Sequence, residues 1–126
     1  MSKDSLSLGI LSEDKAEGFL KASGYRILRR NYRTKLGEVD IIAKDKDVFC
    51  FVEVKSRSND KYGRGFEAIS LKKQAQISKA ALNFLKENKL LDKSARFDVV
   101  SFDCSSSEQK ITLIKNAFEL DKRFTY

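Results

Sequence analysis

The chain of 126 residues has room for one domain with a single core, at roughly 100–200 residues per domain, and no Pro-, Gly- or Ser-rich linker divides it. Hydrophobic residues at 41% and charged residues at 34% argue against a disordered tail and against a membrane protein; the lack of histidine excludes a Ser-His-Asp triad, a histidine general base and histidine-ligated zinc. Lys and Arg number 25 against 18 Asp and Glu, and the resulting net charge of +7 favours a polyanionic partner, nucleic acid first.

Residues 1–11 read as a loose leader without the apolar stretch of a signal peptide, and nothing later approaches a transmembrane helix, so no membrane association and a cytoplasmic location are expected. From Ser12 a helix is predicted, with acids in its first turn, Ala16, Phe19 and Leu20 on one face and Gly24 as its stop. Tyr25 to Tyr32 mixes β-formers with arginines and reads as an exposed strand, followed by a turn over residues 33–37. Residues 38–43 and 48–55 form an expected antiparallel hairpin across the polar turn 44–47, the second strand apolar on both faces and therefore central. Residues 57–67 are a polar, glycine-containing loop. Ser70 then caps a predicted helix reaching about Asn88, with Ile77, Ala80, Ala81, Phe84 and Leu85 at helical spacing. Residues 96–102 and 110–115 are two further strands around the serine-rich turn 105–107. The order αβββαββ describes a mixed sheet with helices packed against it, an α/β fold.

Cys50 and Cys104 lie in apolar runs outside any CxxC, which argues against thiolate metal sites and redox dithiols. Chemistry concentrates instead in the hairpin. If Ala43 pairs with Val48, Asp40 falls opposite Phe51 and Glu38 opposite Glu53, so that Glu38, Asp40, Glu53 and Lys55 share one face. Asp40 and Glu53 are then diagonal neighbours at roughly 7–8 Å between Cα atoms, close enough to share a cation. Two carboxylates and a lysine on a core strand repel or lose charge unless compensated. A divalent cation compensates them, and an all-oxygen donor set selects Mg²⁺ or Mn²⁺. Lys55 is placed to orient a water or to stabilise negative charge at phosphorus, which is the chemistry of phosphodiester hydrolysis.

Asp40, a spacer of twelve residues and Glu53-Val54-Lys55 resemble the signature of the PD-(D/E)xK nuclease superfamily. Together with Gly24-Tyr25-Arg26-Ile27-Leu28, Arg30-Asn31-Tyr32-Arg33, Gly37 to Ala43 and Arg96-Phe97-Asp98-Val99, they resemble the YraN family of poorly characterised bacterial proteins, over most of residues 12–102. That resemblance implies a restriction-endonuclease-like fold, similar to Holliday-junction resolvases, with a metal site at Asp40, Glu53 and Lys55. Val39 stands where the superfamily's nominal proline would be. Resolvase-like members also carry a helix glutamate before the Gly-aromatic pair. Glu13 matches that position as a third metal ligand, and Glu17 is the alternative. The resolvases act as dimers, which allows a homodimer here, although no self-complementary surface is visible in the sequence.

Arg26, Arg29, Arg30, Arg33 and Lys35, with Tyr25 and Tyr32 interleaved, form a basic run leading into the hairpin, and Arg57, Lys61, Arg64, Lys72 and Lys73 form a second. A solvated edge strand protected by charge accounts for the first run equally well. Lys72 and Lys73 oppose the dipole of the helix they begin, a placement that makes sense with an external phosphate. Asp98, flanked by apolar residues, calls for a cationic partner in a structural ion pair. Three functions remain open: a nuclease-like enzyme, a nucleic-acid-binding module without turnover, and a docking subunit for an acidic partner.

Overall fold

The computed structural model describes residues 2–57, 69–103 and 110–119. In chain order they form α1 (Ser2–Ala22), β1 (Arg26–Arg33), β2 (Glu38–Asp45), β3 (Val48–Arg57), α2 (Leu71–Glu87), β4 (Ala95–Asp103) and β5 (Lys110–Phe118). The αβββαββ order is the one expected. The five strands make one sheet in the order β1-β2-β3-β4-β5, antiparallel except for the parallel pair β3–β4. A parallel pair needs a crossover, and α2 supplies it.

Two boundaries correct the sequence reading. The first helix is already formed at Ser2, so the residues expected to be a leader are helical and Ser12 lies inside the helix rather than at its cap. Its end is where the sequence puts it: Gly24 takes φ +95° and the Tyr25 N–H returns to the Leu20 carbonyl at 2.9 Å. The β2–β3 turn is Lys46-Asp47 alone, with Lys46 at φ +56°, and both neighbouring lysine and aspartate positions, 44 and 45, belong to the strand. Ser70 caps α2 as predicted, accepting from the Lys73 N–H, and Asn88 closes its other end. The loop after residue 57, including Lys61, Gly63, Arg64 and Gly65, lies outside the described residues, as do the serine-rich turn, Cys104, Leu120 and Phe124.

Each helix covers one face of the sheet. Ala16 and Leu20 of α1 pack with Ile41, Ala43, Cys50, Val52, Val100 and Phe102. On the other face Ile77, Ala80, Ala81, Phe84 and Leu85 of α2 pack with Ile42, Phe49, Phe51, Phe97 and Val99. Burial of each large apolar side chain contributes about 1.5–3 kcal/mol, so these two layers carry the fold. Phe118 at the end of β5 stacks on Phe97 with ring centroids 4.6 Å apart, which ties the end of the strand to the core. Among the described residues no helix is long and apolar enough to cross a membrane.

Asp98 has the cationic partner that its burial demands. It is completely inaccessible; Arg96 Nε donates to its two oxygens at 3.0 and 3.2 Å, Tyr25 Oη donates at 2.8 Å and the Asn116 N–H at 2.9 Å. Arg96 continues to Asp45 at 2.6 Å, and Lys115 also reaches Asp45. This network pins the end of β2 to β4 and β5, which explains why Asp45 is strand rather than turn.

Candidate functional site

The observed register of β2 against β3 runs from Asp45↔Val48 through Ala43↔Cys50 to Ile41↔Val52. It differs by two residues from the expected pairing of Ala43 with Val48. Continued one step, it sets Asp40 directly opposite Glu53 rather than diagonal to it. A shift of two conserves the faces of a strand, so Glu53 keeps the face expected for it.

At Asp40 the alternation of β2 breaks. Ile41 packs in the α1 layer and Val39 in the α2 layer, although residues two apart normally share a face. Between them the Asp40 carboxylate reaches across to β3, where Oδ2 accepts the Val54 N–H at 2.9 Å. The side chain thus replaces a backbone partner at the point where the ladder opens. Glu38, at the exposed end of β2, pairs at 3.3 Å with Arg33 rather than with Glu53.

Glu53 is 11% exposed. Its burial, together with a hydrogen bond to the Asp40 carboxylate and repulsion from it, pushes the Glu53 carboxyl up to about 8, against the opposing pull of Lys73. The Lys73 ammonium, from the first turn of α2, lies 3.4 Å from Glu53 Oε2. Lys55 is two residues beyond Glu53 on the same strand, beside Ser101 in the parallel ladder as Glu53 is beside Val99. By alternation it shares the Glu53 face.

The structure does not bring Glu13 to this pair. Glu13, Asp14 and Glu17 gather around Arg30 of β1 instead, with contacts of 3.4, 2.6 and 3.6 Å, on the face covered by α1. Arg30, proposed for nucleic acid, is engaged by the helix that was to supply the third ligand, and its Nε is buried without a partner. Neither Glu13 nor its alternative Glu17 joins Asp40 and Glu53, and among the described residues no group of three or more acidic or cysteine side chains could hold a metal ion. Arg29 lies over the Tyr32 ring, 4.9 Å from its centroid. Lys72 is exposed on the first turn of α2, and Arg57 ends β3.

Arg33, Lys35 and Lys73 converge on one cleft, whose walls are the β1–β2 turn and α2. The sequence reading placed Thr34 and Gly37 in a turn but gave no part in a cleft to them or to Gln76, which build those walls. Thr34 Oγ1 accepts the N–H groups of Leu36 and Gly37 at 3.0 and 3.1 Å, while the Thr34 N–H meets the Gly37 carbonyl at 2.8 Å. Gly37 lies so close to α2 that a Cβ there would stand 2.2 Å from the Gln76 carbonyl oxygen. A Thr-x-x-Gly turn between strands was the available signal.

Two carboxylates in contact, one of them buried, are a donor set that a hard divalent cation fits, since Mg²⁺ commonly takes one or two carboxylates and keeps waters or phosphate oxygens for the rest.

Comparison with known proteins matches residues 12–102 to the uncharacterised protein family UPF0102. A UPF0102 protein of Syntrophus aciditrophicus is 49% identical over 115 residues, covering 91% of each chain. One from Geobacter metallireducens is 46% identical over 120 residues, 95% of this chain and 98% of the relative. Another, from Desulforapulum autotrophicum, is 44% identical over 121 residues, 96% of this chain and all of the relative.

Proposed function

The chain belongs to the uncharacterised family UPF0102, the YraN family, and we propose that it is a Mg²⁺- or Mn²⁺-dependent nuclease-like protein that binds DNA or structured nucleic acid and hydrolyses phosphodiester bonds. The observation that carries this reading is the Asp40–Glu53 pair: two carboxylates held in contact where the ladder opens, with Glu53 almost buried. Such a pair is destabilising for a purely structural purpose and useful for holding a cation. Asp40 and Glu53 would hold it; when bound, the ion supplies positive charge beside the phosphate and acidifies a water.

The chain's own residues account for the rest. Asp40 is fixed by the Val54 N–H, so its carboxylate needs no reorganisation to receive a ligand. Lys55, on the Glu53 face, donates hydrogen bonds to the attacking water or to a phosphate oxygen as negative charge develops there. Lys73 neutralises Glu53 and can pass to a phosphate. The water oxygen bonds to phosphorus, the bond from phosphorus to the leaving sugar oxygen breaks, and the water's proton is released while the leaving oxygen gains one.

The test is incubation of labelled branched, single-stranded and duplex DNA with Mg²⁺, Mn²⁺ or EDTA, beside Glu53→Ala and Lys55→Ala proteins. The expected result is metal-dependent cleavage that both substitutions abolish. If all three proteins bind alike and none cuts, the catalytic reading falls and a binding module on the same fold takes its place. That second reading has its own support, because Lys73 already neutralises Glu53 and Arg30 already engages Glu13.

A further inference from the structure

We propose that the cleft between the β1–β2 turn and α2 is a phosphate-anchoring subsite, which takes one phosphate group of a nucleic-acid strand and so sets that strand's position relative to Asp40 and Glu53. The inference rests on the nucleic-acid reading above and deepens it: it assigns the anchoring to one place rather than to the basic surface in general.

The cleft has a volume of about 330 Å³, and among the described residues Arg33, Lys35 and Lys73 line it against a single carboxylate, that of Glu38. Glu38 is a weak competitor. Its pair with Arg33 is open to solvent on both sides, with 48% and 74% of the two side chains exposed, and such pairs are worth little and are readily exchanged. Lys35 makes no ion pair among the described residues, so its charge is available. Arg33 adds a planar fork suited to two phosphate oxygens.

The walls are fixed before any ligand arrives. The Thr34 side chain holds the Leu36 and Gly37 N–H groups, and Gly37 is seated against the Gln76 carbonyl of α2. Cations carried on a turn locked in this way lose little freedom on binding, which is the usual route by which preorganisation raises affinity. The position is informative too. Lys73 lines the cleft and also lies 3.4 Å from Glu53, so one side chain spans the distance between anchor and carboxylates. A strand whose phosphate enters the cleft therefore lies within one lysine's length of the pair. The same chemistry would accept an internal phosphodiester or a terminal phosphate.

The test is fluorescence anisotropy in EDTA, so that no cleavage intervenes, using a labelled single-stranded oligonucleotide with either a 5′-phosphate or a 5′-hydroxyl, across a KCl series. The proteins are wild type, the double variant Arg33→Gln/Lys35→Gln, and Lys93→Gln, a single-charge control beyond the far end of α2. Thermal melts verify that all three are folded. The double variant is expected to bind about tenfold or more weakly, with the slope of log K against log[salt] reduced by about one, while the control is unchanged. A wild-type preference for the 5′-phosphate that the double variant loses identifies a terminal phosphate; equal binding of the two oligonucleotides identifies an internal one. If the double variant binds like wild type, or if Lys93→Gln is as weak as the double variant, the subsite is overturned and the nucleic-acid reading stands. If wild type binds neither oligonucleotide, both fall.

Discussion

Asp40 stands across the sheet from Glu53, one step past the last backbone pair, Ile41–Val52, and fills that step with its own side chain by accepting the Val54 N–H. The arrangement concentrates negative charge where the sheet would otherwise have continued its ladder. Lys73 supplies the balancing charge from the helix that follows β3 in the chain.

A first prediction follows from that unfavourable contact. Glu53→Gln keeps the shape of the side chain and can still donate to Asp40, while removing a carboxyl that burial and Asp40 push up to about 8, so that folding no longer requires a proton to be taken up there at neutral pH. The variant is expected to be more stable than wild type by about 0.5–2 kcal/mol in EDTA, the range of a single stabilising substitution. It is also expected to lose Mn²⁺ binding measured by titration calorimetry. A variant that is less stable than wild type would mean that the Glu53–Lys73 ion pair dominates the site.

The carboxylates and the lysine of this hairpin were legible as a group because strand spacing and the acid-acid-lysine pattern are local properties. Their register was not. Whether the turn takes four residues or two depends on Asp45, and Asp45 is held in the strand by Arg96 and Lys115, which are 51 and 70 residues away. The two-residue difference leaves Glu53 on its face, so Asp40 and Glu53 still meet despite the misplaced turn. Glu13 was misplaced for a different reason. Its position on the helical wheel is compatible with several neighbours, and only the sheet decides that Arg30 of β1 is the one it meets. Arg29, Arg30 and Arg33, adjacent in one basic run, also end in three different settings: over an aromatic ring, within an acidic cluster, and at a cleft.

The Asp45–Arg96 contact predicts how acid weakens the fold. The hydrogen bond from Arg96 holds the Asp45 carboxyl below the usual carboxylate range, with Lys115 adding to the effect. A group whose folded value is depressed stabilises the protein above its unfolded value and ceases to do so as pH falls through the folded one. Asp45→Asn is therefore expected to be less stable than wild type by about 1.5–3 kcal/mol at pH 7, the worth of a hydrogen bond to a charged group. Urea denaturation at descending pH should show the gap narrowing below the ordinary carboxylate range. A gap independent of pH would indicate that packing, not charge, is lost in the variant.

Cys50 is expected to be chemically silent in the native protein. It is completely buried in the α1 layer, and burial pushes its thiol up to about 12, so almost no thiolate is present at neutral pH. Alkylation by iodoacetamide at pH 8, mapped by mass spectrometry to this residue, should be negligible under native conditions and complete in denaturant. Its rate in intermediate urea should follow global unfolding, because β3 is the central strand of the sheet. Rapid native labelling would show that the α1 layer opens independently of the rest.

Gly37 and Gly18 give opposite outcomes for the same substitution. A Cβ at position 37 would stand 2.2 Å from a backbone carbonyl of α2, which cannot turn aside as a side chain could. Gly37→Ala must therefore lift the β1–β2 turn from the helix, at a cost of about 1–3 kcal/mol for overpacking. It should also separate Lys35 from Lys73 and weaken oligonucleotide binding. At position 18, inside α1, a Cβ meets nothing within 4 Å, and replacing a helical glycine by alanine is expected to stabilise by about 0.5–1 kcal/mol. Thermal melts of the two single variants check both signs at once, with Gly37→Ala melting several degrees below wild type and Gly18→Ala above it. If Gly37→Ala melts like wild type, the turn is not seated on α2 in solution, and the preorganisation assigned to the cleft is lost with it.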